Sequence, residues 1–77
     1  MRQSDRGQPA LGAAIRELRE KRDLSQEALA EKAGLTGRTV SAIETGNANP
    51  TWATVRDIAS ALRVSISEVA RLSERHE

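Results

Sequence analysis

The strongest constraint on this 77-residue chain is a local pattern that occurs three times. An apolar residue is followed by Ser or Thr, and a second apolar residue stands five positions after the first. The three instances are Leu24-Ser25…Leu29, Leu35-Thr36…Val40 and Val64-Ser65…Val69. In each, the hydroxyl can accept a backbone N–H that a first helical turn leaves without a partner, while the two apolar side chains close over that turn. Each such cap contributes roughly 1 kcal/mol, and together they fix the phases of three helices. Glu68, three residues after Ser65, completes the sequence pattern of a capping box.

Two further helices follow from spacing. Leu11, Ala14, Ile15 and Leu18 form an apolar stripe that ends near Arg22. Thr51, after Pro50, caps a helix whose stripe is Trp52, Val55, Ile58, Ala59 and Leu62; the preceding Gly46-Asn47-Ala48-Asn49-Pro50 is a dense turn signal. Nothing alternates with period two, so the expected fold is all-α, with five helices and no strands.

The division expected from composition is a polar, disordered arm over residues 1–9, one helical domain over 10–73, and a short tail over 74–77. Trp52 is the only aromatic residue, so the interior must be aliphatic, and Trp52 is expected in the core or covering the first turn of its helix. His76 is expected in solvent, and Arg71, Glu74 and Arg75 as a solvated face. No cysteine is present, which removes disulfides, thiolate metal sites and thiol nucleophiles. A single histidine, no glycine-rich phosphate loop and no organised carboxylate cluster leave catalysis, a cofactor and a metal without support. No apolar run is long enough for a membrane span or a secretory signal, which points to the cytoplasm. The net charge is only +1, but it is uneven: residues 1–22 carry six basic against three acidic groups, and residues 23–46 carry two against four. A binding surface for DNA would therefore rest on shape and on a few placed side chains rather than on a broad basic field.

Residues 26–45 carry the functional argument. Leu29, Ala30 and Ala33 face inward from a short second helix, Gly34 ends it in a left-handed conformation, and Thr36 starts the next helix almost at once. So tight a turn makes the helices cross steeply, with small residues where the backbones meet. On a helical wheel Val40, Ile43 and Glu44 fall on one side of the third helix, and Arg38, Ser41, Ala42 and Thr45 on the other. That second face is small or polar with one long donor, and it suits a major groove about 12 Å wide.

The stretch LSQEALAEKAGLTGRTVSAIETGNANP resembles the helix-turn-helix of the Xre family, the Cro- and 434-repressor-like regulators of phage and bacteria. Gln26, Ala30, Gly34, Val40, Ile43, Glu44, Gly46 and Pro50 carry the match, and IRELREKRDLSQ and WATVRDIASALRVSISEV extend it over the flanking helices, so that it covers about residues 11–72. The resemblance implies a five-helix, repressor-like domain that binds double-stranded DNA and inserts the helix from Thr36 to Thr45 into the major groove. It implies base reading by Thr36, Gly37, Arg38, Ser41 and Ala42, with Arg38 suited to a bidentate contact to guanine. It implies contacts to the sugar-phosphate chain from Gln26, Thr39, Thr45, Asn47 and Asn49, and a structural salt bridge between Arg19 and Glu44. The chain departs from the family at Asp23, where glycine is usual, and at Gly37, where many members carry a base-reading side chain.

A single domain of this size touches few base pairs, so a homodimer on a palindromic site is expected, with Ile66, Val69, Ala70 and Leu72 as its interface. Two other readings stay open on the sequence. The chain could be the DNA-binding antitoxin of a toxin pair, with a toxin rather than polymerase as protein partner, or an adaptor that kept the fold and lost DNA.

Overall fold

The computed structural model describes residues 8–77. Five helices follow in order: α1 (Pro9–Lys21), α2 (Gln26–Ala33), α3 (Gly37–Glu44), α4 (Trp52–Leu62) and α5 (Ile66–Arg75), with no strand among the described residues. The first helix begins at Pro9, inside the segment expected as an arm. Pro9 opens α1, where its fixed φ and missing N–H are tolerated, and Gln8 precedes it as cap. Residues 1–7 of that arm lie outside the described residues. The tail also shrinks, because α5 continues through Glu74 and Arg75.

Four helix starts are capped by a hydroxyl. Ser25, Thr36, Thr51 and Ser65 accept the N–H of Ala28, Thr39, Thr54 and Glu68 at 3.0, 3.1, 3.1 and 3.0 Å. The box at Ser65 forms by half: among the described residues no bond returns from the Glu68 carboxylate to the Ser65 N–H. Glu68 therefore serves the α5 terminus through its charge in the first turn.

The helix ends explain why the sequence pattern repeats. Asp23, Gly34 and Arg63 are all left-handed, with φ of 57°, 73° and 61°. The next residue in each case, Leu24, Leu35 or Val64, donates its N–H back to the carbonyl of Arg19, Ala30 or Ala59 at 3.2, 2.8 and 3.0 Å. This six-to-one bond closes a helix end, and the residue that makes it is also the apolar residue ahead of the next cap. The same succession of a left-handed, an apolar and a hydroxyl residue thus leads into α2, α3 and α5; it is the whole connection from α2 to α3 and from α4 to α5, and follows Arg22 between α1 and α2. Arg63 in the left-handed region is the member of this set that sequence patterns do not flag.

The core draws on every helix: Ala14, Ile15 and Leu18; Leu29, Ala30 and Ala33; Val40 and Ile43; Val55, Ile58, Ala59 and Leu62; Val69 and Leu72. α1 lies against α3 and α5, and α2 against α3 and α4. Trp52 departs from expectation. It is 64% exposed, because it opens α4 a full turn before the first buried residue of that stripe, Val55. It lines a surface groove instead, with Leu11, Pro50, Val55, Ile66 and Ala70. His76 is exposed but not solitary: its Nε2 lies 2.8 Å from Oε1 of Glu17 on α1, and this bond is the main reason the Glu17 carboxyl sits below its ordinary value. No helix among the described residues is long and apolar enough to cross a membrane.

The three turns make a stability prediction. A non-glycine residue in the left-handed region costs about 1–2 kcal/mol, part of which glycine returns through a more flexible unfolded chain. Asp23→Gly and Arg63→Gly should each raise the unfolding free energy by up to about 1 kcal/mol. Gly34→Ala should lower it by a similar amount, although a methyl there would meet nothing within 4 Å. Urea titrations followed by circular dichroism would check all three, and a stabilising Gly34→Ala would refute the assignment of strain.

Candidate nucleic-acid interface

α2 and α3 are separated by Gly34, Leu35 and Thr36 alone. Ala30 and Ala33 are buried where α2 meets its neighbours, and their small side chains let the helices approach closely. α3 then divides as its pattern dictates. Val40 and Ile43 are buried; Arg38 and Thr45 are exposed; Ser41, Ala42 and Thr39 are partly exposed. The guanidinium of Arg38 has no ion-pair partner among the described residues.

Several of the remaining expected contact residues are already engaged. Thr36 Oγ1 accepts from the Thr39 N–H and donates to the Thr39 hydroxyl at 3.0 Å, so its role within the chain is to cap α3. Thr45 donates its hydroxyl back to the carbonyls of Ser41 and Ala42 at 3.0 and 3.2 Å and accepts from Asn47 Nδ2 at 3.1 Å. Asn47 and Thr45 thus form one polar unit at the C-terminal end of α3. Asn49 lies apart from it, accepting from Gln8 Nε2 at 2.7 Å and so tying the loop to the start of α1.

The residues behind α3 are held by a buried polar junction. Arg19 donates Nε to Glu44 Oε2 at 2.6 Å and Nη2 to Glu44 Oε1 at 3.0 Å, a two-pronged pair. Its third donor, Nη1, reaches the carbonyl of Leu24 at 2.7 Å. The Arg19 and Glu44 side chains are only 12% and 2% exposed. The hydrogen bonds from Glu44 hold the guanidinium above its ordinary value, against the opposing effect of burial. Gln26 joins from α2, donating Nε2 to Glu44 Oε1 at 3.0 Å. An amide nitrogen carries two hydrogens, so the second remains available.

Two glycines acquire roles that their positions in the sequence did not reveal. Gly12 is buried in α1, and a Cβ there would collide with the carbonyl oxygen of Ile43 and lie 2.8 Å from that of Glu44. The backbone of α1 therefore touches the C-terminal end of α3 directly. A lone glycine among helix-forming residues was the available sign of this close approach. At Gly37, a Cβ would lie 2.9 Å from Cγ of Glu27, so the space beside the first turn of α3 is filled from α2.

The expected dimer residues are brought together only in part. Val69 and Leu72 are buried within the monomer, at 2% and 8%, because α5 packs them against the core. Both therefore offer a partner little surface, although Val69 also lines the floor of the groove beside Trp52. Ala70 is exposed and Ile66 partly so, and both line the groove beside Trp52.

The sequence matches the helix-turn-helix domain family over residues 10–72. No curated protein sequence matches the chain. Among solved structures, the restriction-modification controller protein C.AhdI from Aeromonas hydrophila is 34% identical, with a TM-score of 0.78 over 79% of this chain and 92% of that one. The clp gene regulator ClgR from C. glutamicum is 25% identical, with a TM-score of 0.85 over 88% of each chain. The hypothetical transcription factor NHTF from Neisseria is 28% identical, with a TM-score of 0.77 over 90% of this chain and 79% of that one.

The junction yields a further expectation. Arg19→Ala strands the Glu44 carboxylate without its main partner, and should cost about 3–5 kcal/mol. Gly12→Ala forces two backbones apart and should cost about 1–3 kcal/mol. Chemical denaturation of the variants checks both, and a loss under about 1 kcal/mol for Arg19→Ala would mean that water compensates the carboxylate.

Proposed function

We propose how this chain, which belongs to the helix-turn-helix domain family and is a DNA-binding transcriptional regulator of the Xre type, engages its target: two copies occupy a palindromic operator, each with α3 in the major groove. Arg38 carries the reading. Its guanidinium, without an ion-pair partner among the described residues, stands on the exposed side of a short helix whose opposite side is anchored by Val40 and Ile43. Its fork matches the two acceptors on the major-groove edge of guanine. Ser41 and Ala42 leave that side slim, and Ala42 offers a methyl for thymine.

Gln26 turns its remaining amide hydrogen to a backbone phosphate while Glu44 steadies the other. Thr39, Thr45, Asn47 and Asn49 meet the sugar-phosphate chain at the margins of α3, positioning the helix without choosing sequence. The protein acts in the cytoplasm as a repressor or controller, by occupying the operator and altering access of polymerase. The reading gives it no catalytic step and no cofactor.

Two copies are expected because one α3 spans few base pairs, and half-sites one helical turn apart, about 34 Å, suit a symmetric pair. The dimer surface we assign is the groove of about 370 Å³ beside Trp52, with Ile66 and Ala70 and with the buried Val69 in its floor, and without Leu72. Trp52 is the one large apolar side chain exposed among the described residues, and it stands at the edge of this groove.

Sequence selection from duplex pools, repeated at two salt concentrations, tests the proposal: a short palindrome should emerge, with affinity falling steeply as salt rises. Arg38→Ala should cost about 1–3 kcal/mol and relax one position, whereas Gln26→Ala should weaken all sequences alike and leave the salt slope unchanged, because a neutral amide displaces no counterion. An equal loss on every sequence for Arg38→Ala would reduce Arg38 to a backbone contact. For assembly, Trp52→Ser with Ala70→Glu should move sedimentation toward monomer and lower affinity for the full palindrome but not for a half-site; unchanged sedimentation would remove this interface.

A further inference from the structure

Glu27 is exposed, and among the described residues no ion pair or side-chain hydrogen bond holds it. The dipole of α2 favours an acid in its first turn, but several positions would satisfy that. The place this side chain occupies is more particular. Measured from where a Cβ on Gly37 would be, Glu27 Cγ is 2.9 Å away, Oε2 3.3 Å and Cδ 3.6 Å. The carboxylate of an α2 residue lies across the first turn of α3, in the volume a side chain at position 37 would need.

We infer that Glu27 is a specificity-determining residue, which reads the base that position 37, being glycine, leaves unread. This rests on the proposed insertion of α3 in the major groove. A carboxylate can only accept hydrogen bonds at neutral pH. The major-groove edge offers it two donors, the exocyclic amines of cytosine and adenine. In the major groove adenine N6 lies between two acceptors, its own N7 and the O4 of the paired thymine, which repel an anion from both sides; cytosine N4 has one acceptor neighbour, the paired guanine's O6, and a C–H on its other side. Cytosine is therefore the base that Glu27 selects.

The charge has a second effect. A carboxylate brought among phosphates raises the free energy of every complex in which no amine faces it, so it discriminates by penalising wrong sites as well as by rewarding the right one. The excess of acidic over basic groups in residues 23–46 acts in the same direction, keeping non-specific binding weak.

Sequence selection with substituted chains tests this. The unmodified protein should enrich cytosine at one position per half-site, next to the position that Arg38→Ala relaxes. Glu27→Ala should flatten that preference by roughly tenfold and bind mismatched duplexes more tightly. Glu27→Gln should move the preference to adenine, whose N6 and N7 match an amide. Gly37→Ala keeps the carboxylate but displaces it, and should weaken the same preference; Glu27 is exposed and Gly37 half-buried, and circular dichroism verifies that the variants fold. If Glu27→Ala leaves every base preference intact and raises all affinities equally, the inference is overturned, and a normal response of Arg38→Ala in the same assay shows that the proposed function survives it. If the unmodified chain selects no sequence, the function and the inference fall together.

Discussion

The position of α3 depends on the buried pair of Arg19 and Glu44. Removing two charges from water is costly, and the pair persists because the guanidinium spends its donors on the Glu44 carboxylate and the Leu24 carbonyl while Gln26 supplies a further bond. Those partners come from α1, the turn after it, α2 and the end of α3. One polar junction therefore sets the mutual orientation of three helices, where aliphatic packing alone would accept small rotations. A protruding helix must enter a groove at one angle, and a directional restraint at its base meets that need better than non-directional apolar contact.

The turns complete this arrangement. Joining helices with so few residues leaves little freedom in the crossing, and the same three-residue solution is used at three corners. Each corner satisfies the carbonyl end of one helix and the N–H end of the next, so few backbone groups are left to water. With a core built mainly from Leu, Ile, Val and Ala, such local closure offsets the lack of large aromatic anchors.

Much of this was legible in the sequence because the caps, the apolar spacing and Gly34 are local signals, read within one turn of chain. Five helices and the two-sided character of α3 follow from them. What escaped was set by contacts between distant segments. Arg63 carries no glycine-like mark, since its conformation is imposed by the corner it completes. Trp52 continues an apolar stripe on paper, but no other element reaches over the first turn of α4. Val69 and Leu72 look like surface on a short terminal helix until α1 and the core are laid against them. Glu27 resembles an ordinary first-turn acid until the space above Gly37 is measured.

Gly12 has a consequence for how such a protein can change over time. Because α3 is held from behind, through main-chain contact with α1 and through Glu44, the side chains at 38, 41 and 42 contribute little to holding the domain together. Scaffold and readout are nearly separate sets of residues. New operators can then be acquired by exchanging a handful of outward groups while folding proceeds undisturbed, and the slowest positions to drift should be the ones no base ever meets.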